Sequence, residues 1–178
     1  EIINKAINFW KENNNYPYKN IIFLENSSIK IKHKNFNIKH KNKDWGNSNW
    51  AKLINNIKND YLIIQSVHDE TNSIEGIFSP KKVNFRLACA ILNKCDLYLG
   101  LEGGFGHVAG ALKKKAVIYF GGWISPKIIG YDFHENIYFE HDNSPCGEYR
   151  NICPHCEKAR EKITPKYIEE KIKKFLNS

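Results

Sequence analysis

Short apolar runs alternate with amphipathic stretches along most of the chain. "NIIFLE" (20–25), "YLIIQS" (61–66), "DLYLG" (96–100) and "AVIYFGG" (116–122) are continuous apolar runs of strand length. Between them, "NWAKLINNIKN" places Trp50, Leu53, Ile54 and Ile57 at i, i+3, i+4, i+7, and "NFRLACAILNK" (84–94) has the same helical period. A further helix is predicted from about Gly106 to Lys115, and "EIINKAINFWKE" opens the chain as an amphipathic lead-in helix. Strand, helix, strand, helix predicts a parallel sheet, and strands apolar on both faces predict helices on both sides: a Rossmann-like, doubly wound α/β fold. Ser48 and Asn84 are candidate helix N-caps, and Thr164 followed by Pro165 opens the last helix, "PKYIEEKIKKFL".

At 178 residues the chain fits one domain, with a lead-in helix over 1–17, a parallel α/β core over 18–145, and a cysteine-rich segment with a terminal helix over 146–178. The net charge of +8 favours anionic partners without naming them; a Lys/Asn-rich bias spread over a solvated surface accounts for it equally well. "IKIKHKNFNIKHKNKDWG" (29–46) concentrates six lysines and two histidines, as an exposed loop or edge strand or as a phosphate-facing segment. No apolar run is long enough to span a membrane, so a cytoplasmic location is expected. Five cysteines, two of them inside a helical pattern, do not suggest a secreted disulfide framework.

The densest chemistry lies in "LEGGFGHVAGALKKKAVIYFGG" (101–122). Gly104, Gly106 and Ala109 satisfy G-x-G-x-x-G/A between a strand and a helix. A dinucleotide fingerprint belongs to the first strand-helix unit of its domain, with an acid about 20 residues on. Here at least two units come earlier and no such acid follows. The remaining physics is that of a phosphate site, in which glycines admit a close approach and the helix start offers N–H donors and partial positive charge.

The segment "EGGFGHVAGALKKKAVIYFGGWISPKIIGY" resembles the nucleotide-sugar-binding segment of glycosyltransferase family 9, the ADP-heptose lipopolysaccharide heptosyltransferases and their capsule-locus relatives. "NKDWGNSNWAKLINNIKNDYLIIQS" and "VNFRLACAILNKCDLYLG" are similar to the family's upstream blocks, and "CGEYRNICPHCEKAREKITPKYIEEKI" to its cysteine-rich tail and final helix. The resemblance implies the C-terminal, donor-binding lobe of a two-lobed GT-B enzyme. That enzyme would transfer a heptose or related glycose from an ADP-type donor to a lipooligosaccharide or capsular acceptor at the inner membrane surface. It also implies that Lys43 neutralises the diphosphate, that the Gly104 backbone and His107 hold its oxygens, that Glu102 accepts from sugar hydroxyls, that Glu70 meets the ribose, and that Gly103 belongs to the same donor-binding turn. Glu102 stands where the family has Asp, Gly103 where it has a small hydroxyl residue, and Gly46 where it has Pro. The acceptor base would belong to an N-terminal lobe, leaving this chain inactive alone; failing that, His68, Asp69 or His134 are candidates. No D-x-D pair occurs, which favours the metal-independent type, with no cofactor required for catalysis.

Cys146, Cys153 and Cys156 follow a C-x6-C-x2-C spacing, with His141 and His155 close by. They make either a structural zinc site or a packed set of thiols. Two other readings stay open: an NAD-binding Rossmann protein on the same glycine turn, and a basic module that uses the lysine-rich stretch and the Cys/His tail on nucleic acid. The second lacks the aromatic-glycine signature of common RNA folds.

Overall fold

A computed structural model of the chain describes residues 1–14, 16–27, 31–33, 36–38, 41–66, 73–81, 83–148 and 151–177. Five parallel strands form one sheet in the order β4-β1-β5-β6-β7, with β1 Ile21–Glu25, β4 Leu62–Gln65, β5 Leu97–Leu101, β6 Lys115–Gly121 and β7 Glu135–Tyr138. The lysine-rich stretch contributes a separate antiparallel pair, β2 Ile31–His33 with β3 Phe36–Ile38.

Every residue of β4 and β5 is buried, as the double apolar faces require. On one face, α2 (Asn47–Ile57) and α7 (Pro165–Asn177) pack Trp50, Leu53, Ile54, Ile57, Ile168 and Ile172 against Ile22, Leu24, Leu99 and Val117. On the other, α1 (Ile2–Asn13), α3 (Phe85–Lys94) and α4 (Gly104–Ala111) bring Ala6, Trp10, Ile91, Phe105 and Ala109 onto Phe23, Ile64, Tyr98 and Ile118. The fold is therefore doubly wound.

Asn84 caps α3 by accepting from the Leu87 N–H at 2.9 Å, and Thr164 accepts from the Tyr167 N–H at 3.2 Å. Ser48 does not cap α2. That helix starts two residues earlier, with Gly46 as N-cap at φ +94, and the Asp44 carboxylate makes the turn by accepting from the Gly46 N–H at 2.9 Å. The helix expected to start near Gly106 starts at Gly104 and ends at Ala111, because Lys113 turns left-handed at φ +53. Three elements have no counterpart in the hydrophobic pattern: α5 (Pro126–Ile129), β7 and α6 (Pro154–Lys162).

Candidate functional site

From β1 the chain passes outward to β4 and then returns to β5 on the other side, so the sheet reverses its direction of growth between β1 and β5. A crevice opens beyond the carboxyl ends of strands at such a point, and ligands of doubly wound sheets bind there. Glu25 ends β1, and Leu101 ends β5 beside it, followed at once by Glu102.

The turn after β5 is built for close approach. Gly103 sits at φ +147, which a side chain rarely adopts, and a Cβ there would lie 3.2 Å from the Lys43 Nζ. α4 begins at once, and the His107 N–H is already bonded to the Gly103 carbonyl at 3.1 Å. The free donors of the first turn are therefore those of Gly104, Phe105 and Gly106 rather than His107. Gly104 is exposed, and the Phe85 ring, itself 58% exposed, flanks it against Phe105 at a centroid distance of 5.2 Å. The His107 side chain is also exposed, with Nδ1 3.2 Å from the Tyr131 hydroxyl. Tyr131 lies flat on Gly110, where a Cβ would meet its ring at 2.5 Å.

Glu102 is only 5% exposed, with Oε1 2.9 Å from the Lys43 Nζ. Burial raises its carboxyl above the ordinary range, and Lys43 and His107 pull it back. Beside it, burial pushes Glu25 up to about 7, against the lowering effect of the Tyr98 hydroxyl and of Lys43. The structure thus brings Lys43, Glu102, Gly103, Gly104 and His107 to one turn and adds Glu25 and Tyr98, which sequence reasoning missed. Glu25 could have been found by its place as the last, charged residue of a buried strand. Glu70, with His68 and Asp69, lies outside the described residues. His134 is at the opposite, amino-terminal edge of the sheet, just before β7, buried between Tyr131 and Phe133 with its proton affinity lowered by burial. It is no base for a ligand at the turn.

The C-terminal segment holds Lys43 in place. Asn42 is buried, donates to the Glu148 and Asn151 carbonyls at 2.8 and 2.7 Å, and accepts from the Cys153 N–H at 2.8 Å. Arg160 on α6 donates to the carbonyls of Asp44 and Lys41 at 3.0 and 2.8 Å. The Trp45 indole donates to the Ile163 carbonyl at 2.8 Å.

Next to this clamp, the Sγ atoms of Cys146, Cys153 and Cys156 lie within 4.8 Å of one another, a group that could hold a metal ion. Tetrahedral thiolates about 2.3 Å from a metal stand somewhat under 4 Å apart, so three corners fit. Cys153 is the N-cap of α6. Burial opposes its ionisation, but the backbone N–H groups of Cys156 and His155 and the neighbouring thiols outweigh this, and its pKa falls below the ordinary thiol value. Burial and the same thiols hold Cys156 protonated instead. The two imidazoles stand outside the cluster, tilted 38° against one another with centroids 4.8 Å apart. Among the described residues no helix is long and apolar enough to cross a membrane.

No family model matches the chain, and no curated protein does. Solved structures do. The iron-containing dodecameric glycosyltransferase TibC of enterotoxigenic E. coli H10407 superposes with a TM-score of 0.66 at 16% identity, over 89% of this chain and 45% of its own. A glycosyl transferase family 9 protein from Veillonella parvula gives 0.60 at 16%, over 98% of this chain and 51% of its own. The E. coli heptosyltransferase WaaC, solved with ADP-2-deoxy-2-fluoro heptose, gives 0.56 at 11%, over 95% and 47%. The chain spans about half the length of each, and its fold is that of one lobe of these GT-B family 9 enzymes.

Proposed function

We propose that this chain is the C-terminal, donor-binding lobe of a glycosyltransferase and that it takes a nucleotide-linked sugar, an ADP-heptose or a related glycose, at the turn after β5. The observation that carries the reading is the set of groups at the switch point: a glycine turn opening a helix, with a lysine and an exposed histidine beside it. Departure of a nucleoside diphosphate through an oxocarbenium-like transition state loads negative charge onto the leaving phosphate. Fixed N–H donors of Gly104 to Gly106, the Lys43 ammonium and His107 stabilise that charge from groups already in place. Glu102 positions Lys43 under the turn and turns its other oxygen to a sugar hydroxyl. Phe85 makes an apolar wall. The acceptor, a cell-surface glycan built at the cytoplasmic side of the inner membrane, and its base belong to the facing lobe, so this chain binds donor without transferring it.

Titration calorimetry with ADP and ADP-heptose tests the assignments. His107→Ala should weaken both ligands, and Glu102→Gln should weaken the sugar nucleotide more than ADP. Each loss should be about tenfold, as for one charge-assisted hydrogen bond. Equal and small effects on both ligands would sink the assignment.

For the cysteines, we propose a structural metal ion held by Cys146, Cys153 and Cys156, zinc being the first choice for three thiolates. Bound there, it would cross-link the segment that carries Asn42's partners to α6. Purified protein should contain close to one metal per chain, and a strong chelator should lower its Tm. Protein without metal that melts identically in chelator would leave packed thiols as the account.

A further inference from the structure

The Tyr98 hydroxyl stands between two oxygens, 2.9 Å from Glu25 Oε2 and 2.8 Å from the Leu101 carbonyl. Both are hydrogen-bond distances, yet a phenol has one proton to give. The Leu101 oxygen is a carbonyl and can only accept. The remaining source of a second proton is the Glu25 carboxyl itself.

We propose that Glu25 is a positioning residue that holds a proton in the free protein. It donates that proton to the Tyr98 oxygen, so that Tyr98 donates in turn to the Leu101 carbonyl and braces the strand end from which the turn springs. The backbone requires this closeness: at Gly100 a Cβ would fall 2.6 Å from both the Glu25 carbonyl and the Tyr98 hydroxyl. Partial burial at the strand end supports the assignment, since it disfavours the carboxylate and moves Glu25 up to about 7.

The charged and titratable groups around Glu25 come from two elements besides β1. Lys43, from the loop ahead of α2, favours its ionisation; Glu102, at the end of β5, opposes it. Tyr98, within β5, stays neutral, pushed well above its ordinary value by burial and by Glu25. β4, the other neighbour of β1, ends in uncharged Gln65 and is followed by Ser66; His68, Asp69 and Glu70 lie outside the described residues.

With Glu25 neutral, Lys43 and Glu102 balance. With Glu25 ionised, two carboxylates share one ammonium, and the excess negative charge faces the turn. Resting on the donor-site reading, this couples the proton to the ligand: a diphosphate that draws Lys43 toward itself leaves two carboxyl groups without their cation, and one proton must stay on the pair. Donor affinity therefore falls as pH rises through neutrality.

Stability carries the same sign. The folded-state pKa of Glu25 lies above its unfolded value, so its contribution is complete at acid pH and is lost as pH rises through about 7.

The test uses the 178-residue chain with carbon-13-labelled glutamate carboxyls, assigned in the unmodified protein, and titrated by NMR without ligand. Glu25 should titrate near neutrality, with a resonance that Glu25→Gln removes; a midpoint in the ordinary carboxylate range would overturn the proposal. ADP binding measured at pH 6 and pH 8.5 forms the second arm. The unmodified chain should lose about tenfold more affinity than Glu25→Gln, the effect of a tenfold difference in proton affinity between free and bound states. Gln can donate to Tyr98 in place of the carboxylic acid and so keeps the brace, leaving only the titrations that the two proteins share. Equal pH dependence in the two proteins would overturn the coupling and leave the donor site standing. Absence of ADP binding at either pH would instead remove the donor-site reading and with it the coupling, while the carboxyl titration still decides the proton on Glu25.

Discussion

Trp45→Ala is expected to lower stability by about 3 to 5 kcal/mol, the range for emptying a fully buried large aromatic site. Trp45 is fully buried, stacked edge-on against Trp50 at 4.9 Å and tilted against Tyr119 at 5.7 Å. Its truncation removes this packing and also leaves the buried Ile163 carbonyl without its donor. The loss should appear as a fall of roughly 10 °C in Tm, at the few degrees per kcal/mol usual for a domain of this size. Phe85→Ala serves as the control, since an exposed ring should change stability by less than about 0.5 kcal/mol. Urea melts of the two variants with equal midpoints would contradict the packing described for the two helical faces.

Lys43→Met is the second large effect, and it depends on pH. Lys43 and Glu102 are 16% and 5% exposed, so removing the ammonium strands a buried carboxylate, which costs about 3 kcal/mol or more. Glu102 can escape by taking up a proton. Its pKa is already raised by burial and lowered again by Lys43, so loss of the lysine raises it further. A carboxyl whose folded-state pKa exceeds its unfolded value loses stability as pH rises through the folded value. The variant should therefore differ little from the unmodified chain at about pH 5 and most at pH 8 to 9. A destabilisation independent of pH would show that Lys43 acts by packing its stem rather than by charge.

The sheet was legible because β1, β4, β5 and β6 are buried on both faces and so appear as unbroken apolar runs. β7 escaped for the same reason in reverse: as an edge strand it buries Ile137 alone among Glu135, Asn136 and Tyr138. The end of α4 escaped because Leu112 to Lys114 are good helix formers, yet the chain leaves the helix through a left-handed turn at Lys113. At the candidate site, the glycine turn was visible as a local signal, whereas the pairing of Lys43 with Glu102 spans loops far apart in the chain. Glu25 looked like the ordinary end of a strand. Its partner Tyr98 lies 73 positions away, and no local pattern announces a contact of that kind.

The bonds that fix Lys41 to Trp45 reach partners 106 to 119 positions later, at Glu148, Asn151, Arg160 and Ile163. During synthesis from the amino end, β1, β4, β5 and α4 leave the ribosome before any of those partners exist. The strands can pair and the glycine turn can form, but the lysine that belongs beneath it stays unanchored until α6 docks. Contacts closed over such distances along the chain form slowly. A nascent chain halted before Cys146 would thus lack both the bonds that hold Lys41 to Trp45 in place and the α7 cover over one face of the sheet. The pairing of Lys43 with Glu102 is thus secured only once the residues from Glu148 to Ile163 have been made.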